Sequence, residues 1–163
     1  MEIRRFSESD NINDVSRVYA LSWKLAYVGI VSQDYLDSIS EDQWSKILVN
    51  ELSNMWIVSE GQQIVGSSTY SPARDEKYND WGEIISLYVL PSYCHQGIGT
   101  KLLHASMNEL IFTGYGDIYL WVLERNNSAR KFYEKNGFKF NGDTLQTTIG
   151  GKLLNEVRYV YNT

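Results

Sequence analysis

Between residues 12 and 26, apolar side chains recur at helical spacing, with Ile12, Val15, Val18, Tyr19 and Trp23 sharing one side. Ser9 or Asp10 is the expected cap of this helix, and Gly29 breaks it. A short helix is expected over 33–39 and a longer one over 41–52. The spacing then shifts to that of strands: 56–59 and 63–70 flank the Gly61-Gln62 turn and read as a hairpin. After a polar loop holding Pro72, residues 83–90 are almost continuously apolar, the mark of a strand covered on both faces. A helix over 97–112, a strand over 117–123, a helix over 127–136 and strands over 138–148 and 153–161 follow. With an opening strand over 2–6, the pattern predicts a mixed α/β sheet of about seven strands with helices on both faces.

Composition narrows the picture. A chain of 163 residues suits one domain, 1–163, with one substantial core. Twenty acidic against fifteen basic residues give a net charge of -5, and no basic stripe is visible, which argues against nucleic acid as a partner. An acidic balance is compatible with a cationic acceptor molecule, although enzymes of neutral substrates are often as acidic. Cys94 is the single cysteine, so an internal disulfide is excluded. Met1 to Phe6 lacks the apolar core of a signal peptide, and no apolar run approaches the ~20 residues that span a bilayer. A cytoplasmic protein with no membrane partner is expected.

Two stretches carry chemistry. In the first, the strand over 83–90 leads through Pro91 and a short loop to Gly97-Ile98-Gly99 at a helix start. The first turn of a helix presents N–H groups without intrahelical partners, and the helix dipole adds positive charge there. This suits a phosphate, although a bare strand-to-helix turn has the same residues. A Walker A loop is excluded, because it needs four residues between its glycines and a Gly-Lys-Ser/Thr ending, where this chain has Gly-Ile-Gly-Thr-Lys. A dinucleotide fingerprint wants Gly or Ala where Leu102 stands. The second stretch is Asn126-x-x-Ala129-x-x-Phe132-Tyr133-x-Lys135-x-Gly137-Phe138. Asn126 or Asn127 can cap its helix, Ala129 keeps one face small, and Tyr133 lies on the same face four residues on.

Together, in this order, the two stretches resemble the cofactor-binding motifs of the GNAT N-acetyltransferases. The resemblance is specific from Glu83 to Phe138 and generic elsewhere. It departs at Cys94, where the family usually carries Gln or Arg. It implies a GNAT fold with a splayed central strand pair, acetyl-coenzyme A as acetyl donor, no metal, and direct transfer to a primary amine of a small molecule or peptide. It also implies coenzyme A contacts from Leu87, Tyr88 and Val89, whose main chain would pair with the pantetheine arm, from His95, Gln96, Gly97, Ile98, Gly99 and Thr100 around the pyrophosphate, and from Asn126, Ala129 and Tyr133. Tyr133 is then the acid that protonates the departing thiolate, a phenol of pKa about 10 being matched to that task.

An amine acceptor must lose a proton before it attacks. Glu83, at the head of the central strand, resembles the base of the GNAT histone acetyltransferases, and Ile84, Ile85 and Trp81 are expected to surround it. Alternation would put Glu83, Ile85 and Leu87 on one face and Ile84, Ser86 and Tyr88 on the other. Glu124 is the rival base, and His95 and His104 are weaker ones. Trp23-x-x-Ala26-Tyr27-x-Gly29-Ile30 resembles an N-terminal pattern of many bacterial GNAT proteins, in which Trp23 and Tyr27 would wall the acceptor site together with Glu83 and Glu124. The same two aromatics are equally suited to core packing. The alternative function is a non-catalytic acetyl-coenzyme A sensor of the same fold, and a third reading is an unrelated nucleotide-binding α/β protein. The terminal strand, with Val157, Tyr159 and Tyr161 alternating, could pair across a homodimer.

Overall fold

The computed structural model describes residues 1–163. Its strands are β1 (Glu2–Arg5), β2 (Met55–Glu60), β3 (Gln63–Pro72), β4 (Gly82–Val89), β5 (Ile118–Leu123), β6 (Lys139–Ile149) and β7 (Lys152–Tyr161). They form one sheet in the order β1-β2-β3-β4-β5-β7-β6, antiparallel throughout except for the central pair β4 and β5. The helices are α1 (Ile12–Ala26), α2 (Gln33–Ser38), α3 (Ser45–Leu48), α4 (Ile98–Phe112) and α5 (Asn127–Lys135).

The apolar stripes explain the layering. Val15, Val18 and Tyr19 seat α1 on one face of the sheet. Leu103, Met107 and Leu110 of α4 cover the other, against Ile84, Ile118 and Leu120. Leu103 is fully buried, and its truncation to alanine would cost about 2–5 kcal/mol.

Four expectations are corrected. Neither Ser9 nor Asp10 caps α1: Asn11 does, its side chain accepting from the Asn13 amide, while Asp10 is taken up by the Arg4 guanidinium. The helix over 41–52 shrinks to the four residues of α3, because Trp44 enters it from a turn and donates its amide to Ser16. The last strand is no free edge, since β7 lies between β5 and β6, so an edge-to-edge dimer would have to use β6 or β1. Finally, β4 does not alternate. Thr69 faces Ser86 while Tyr70 faces Ile84, which leaves Ile85 as a bulge. After the bulge, Ser86 and Tyr88 turn to α1 while Ile84 and Leu87 pack toward α4.

Candidate active site

The bulge marks the place where the sheet opens. β4 pairs with β5 only from Gly82–Ile118 to Ile84–Leu120. Beyond that the strands diverge, and residues 85–89 are half-exposed. Helix α1 holds the free end of β4. Tyr19 bonds the Ser86 hydroxyl, Trp23 Nε1 donates to the Tyr88 hydroxyl at 3.0 Å, and Ser22 donates to the Val89 carbonyl at 2.8 Å. The opening belongs to a groove of about 1670 Å³ that also takes in the start of α4, one side of α5 and the outer end of α1.

One end of this groove is main chain. His95 and Gly97 both sit in the left-handed region, at φ 62° and 79°. Glycine adopts that conformation freely, whereas His95 does so at a cost in strain. The helix start carries no side-chain cap, and the amides from Gln96 to Thr100 find no acceptor in the protein. Gly99 abuts α5: a Cβ there would meet the Phe132 ring at 3.4 Å, an ordinary packing contact. Gln96 turns its side chain back to the Ser92 carbonyl, and Ile98 is buried in the core, so both can offer only backbone here. Cys94 is exposed at the loop, and partial burial of its thiol pushes it up from the usual value, which opposes a nucleophilic thiolate.

Helix α5 forms the opposite bank. Asn126 caps it by accepting from the Ala129 amide at 3.2 Å. Ala129, Tyr133 and the cations Lys131 and Lys135 line the groove; Lys131 was not singled out in the sequence, and Lys135 stood there only as a motif position. The Tyr133 ring packs between Phe132 and Phe138, at 5.2 and 5.9 Å between centroids. Its hydroxyl bonds no protein group, and desolvation pushes it well above the ordinary phenol value.

The other end is built of side chains, and here the expectations fare unevenly. Glu83 is buried, at 2% exposure, but its surroundings are ionic rather than the apolar set of Ile84, Ile85 and Trp81. Its carboxylate accepts from the Arg74 amide at 3.0 Å, from Arg74 Nε and Nη2 at 3.2 and 2.7 Å, and from Tyr119 at 2.8 Å. Burial and this neighbouring charge push the Tyr119 hydroxyl up to about 12. Beside it, Arg158 stacks on Tyr78, Tyr119 and Trp121 and pairs with Asp75 at 2.6 Å. The loop over 73–80 is thereby clasped to the sheet. Trp23 and Tyr27 do line the groove, edge to face at 4.7 Å, and the Tyr27 and Tyr88 hydroxyls meet at 3.4 Å. Glu124 lies outside it, exposed and bonded by Asn155 at 3.2 Å, and His104 is exposed on α4 away from it. Arg74, Tyr119 and Glu156 face the groove from positions no motif singled out, and strand periodicity alone does not choose among them.

A splayed parallel pair beside a helix start with free amides defines an acyltransferase fold that admits a long, phosphate-bearing donor. Residues 15–138 match the acetyltransferase (GNAT) family, and the chain belongs to that family of acetyl-coenzyme A-dependent enzymes. It is 30% identical to a spermidine N(1)-acetyltransferase of Thermoplasma acidophilum, over 98% of each chain. It is 29% identical to a thialysine N-epsilon-acetyltransferase of Mus musculus, over 91% of this chain and 96% of that one. Among solved structures, the PaiA N-acetyltransferase of Thermoplasma acidophilum in complex with coenzyme A superimposes with a TM-score of 0.79 at 26% identity, over 99% and 98% of the two chains. No helix is long and apolar enough to cross a membrane, and no group of three or more His, Cys, Asp or Glu side chains is placed to hold a metal.

Proposed function

We propose that this chain acetylates a primary amine of a small molecule or peptide by direct attack on acetyl-coenzyme A. One observation carries the reading: the unbonded amides of Gln96 to Thr100, the opening between β4 and β5, and the unpartnered Tyr133 hydroxyl all face one groove that continues into an aromatic, acid-lined space. The similarity to spermidine and thialysine acetyltransferases supports an amine acceptor.

When bound, the donor supplies an acetyl carbon on a thioester with a thiolate leaving group. The free amides of the helix start take the pyrophosphate, and Lys131 and Lys135 add positive charge along the same bank. The main chain from Leu87 to Val89, unpaired on the side of β5, extends along the pantetheine arm like a neighbouring strand. Ala129 leaves room for the arm beside α5, and Tyr133 gives its proton to the departing sulfur. Trp23, Tyr27 and Tyr88 flank the acceptor. Glu83 stands at the point where the strands part, and a base role for it requires that Arg74, 66% exposed, release the carboxylate. Holding both reactants in one groove accounts for much of the acceleration.

The test is thiol release from acetyl-coenzyme A with a panel of amines: spermidine, lysine, a peptide with a free N-terminus, and none. Amine-dependent release with an acetylated product is expected. Coenzyme A binding without release by any amine would instead identify a non-catalytic sensor.

A further inference from the structure

Glu156 sits on β7 opposite Leu123, at the inner end of the groove. It is only half-exposed, yet its carboxylate accepts no hydrogen bond and joins no ion pair; the two other acids considered as bases are both bonded, Glu83 four times and Glu124 by Asn155. A carboxylate partly withdrawn from water and left unpaired is costly, and a ligand cation would relieve that cost. Tyr27 of α1, Tyr88 of β4 and Tyr133 of α5 line the same groove, as do the cations Arg74 and Arg158, the latter paired with Asp75 and Asp143. Arg74 is already engaged by Glu83. Glu156 therefore shares one groove with the unpartnered Tyr133 hydroxyl and with aromatic rings that favour a cation.

We propose, resting on the acetyl-transfer reading above, that Glu156 receives the acceptor's ammonium group and takes its proton, so that the natural acceptor is a cationic primary amine. The ammonium gives one proton to Glu156, and the neutral nitrogen attacks the acetyl carbon. The new C–N bond forms as the C–S bond breaks. Tyr133 protonates the sulfur and is restored by the second nitrogen proton, while Glu156 releases its own to solvent. Nothing is oxidised or reduced. Desolvation raises the Glu156 carboxyl above its ordinary value, toward the range in which a base is effective at neutral pH.

The experiment compares Glu156→Gln, Glu156→Asp and Glu83→Gln with two acceptors: propylamine, protonated at neutral pH, and trifluoroethylamine, whose fluorines leave it largely neutral. For Glu156→Gln, kcat/KM with propylamine should fall by ~10²-fold and with trifluoroethylamine by no more than about threefold, and Glu156→Asp should restore much of the difference. Equal losses with both amines would overturn the proposal, as would a selective loss in Glu83→Gln with Glu156→Gln unaffected. A second readout separates this from failure of the acetyl-transfer reading: calorimetry of propylamine and spermidine binding to the coenzyme A complex. Even in a protein that turns over nothing, Glu156→Gln should weaken amine binding at least ~10-fold, about 1.4 kcal/mol. Unchanged amine binding, or none in the wild-type protein, would overturn the assignment of Glu156 whatever the catalysis.

Discussion

The two ends of the groove are made of different material. At the donor end the contacts available are chiefly main chain, the free amides behind Gly97 and the open edge of β4, with Lys131 and Lys135 adding charge beside them. At the acceptor end they are side chains, drawn from α1, β4, β5, β7 and the loop over 73–80. Backbone amides serve any phosphate-bearing donor and depend on conformation, so they tolerate a departure such as Cys94. Side chains discriminate between acceptors, and each depends on what its neighbours leave free. Glu83 and Glu156 make that contrast sharp: two acids on one groove, one saturated by Arg74 and Tyr119, the other without a partner.

The largest effect is expected where the two ends meet. Tyr133→Phe keeps the ring packing and removes only the hydroxyl, so turnover should fall ~10²-fold with coenzyme A affinity unchanged. Normal turnover would make Tyr133 a packing residue. At the donor end, Gly97→Val forces a branched side chain into φ 79°, although the space beside it is open. Coenzyme A binding measured by calorimetry should weaken at least ~10-fold through loss of loop geometry. Unchanged affinity in the folded variant would show that the amides are not the anchor. At the acceptor end, the two acids should part in a melting experiment. Glu83→Gln strips a buried acceptor from Arg74 and Tyr119 and should lose about 1–3 kcal/mol, at roughly 2–4 °C per kcal/mol. Glu156→Gln should cost nothing or stabilise at neutral pH. The raised carboxyl means that ionisation is less favourable folded than unfolded, so the penalty grows as pH rises through the unfolded value and the neutral amide escapes it. A large loss in Glu156→Gln would point to a hidden partner. The smallest effect is expected at Glu124, outside the groove: Glu124→Gln should hold kcat/KM within about twofold, as surface changes usually do.

The donor end was the more legible in sequence, and the reason is physical. A glycine-led helix start is a local feature, written in consecutive residues, and so is the α5 stretch from Asn126 to Phe138. The central place of β4 could be read from its continuous apolar run, while its splaying from β5 came only with the family resemblance. The acceptor end depends on register. Glu156 meets Leu123 across β7 and β5, and Arg74 reaches Glu83 from a loop that carries no periodicity. The β4 bulge reverses an alternation that the residues themselves suggest, because Ile85 is as apolar as its neighbours and nothing local marks it as the extra residue. Helix α3 was overestimated for a similar reason: Trp44, Ile47 and Leu48 are helix-spaced, but Ile47 is exposed, and Trp44, which packs on the core, lies in the turn before the helix.

In the proposed reaction, donor and acceptor meet in one groove and react without a covalent enzyme intermediate. Initial rates of thiol release, with acetyl-coenzyme A and spermidine varied against each other, test it most directly. Double-reciprocal lines that intersect are expected, as a ternary complex requires. Parallel lines, or release of free thiol before any amine is added, would mean that the chain itself carries the acetyl group and would contradict it.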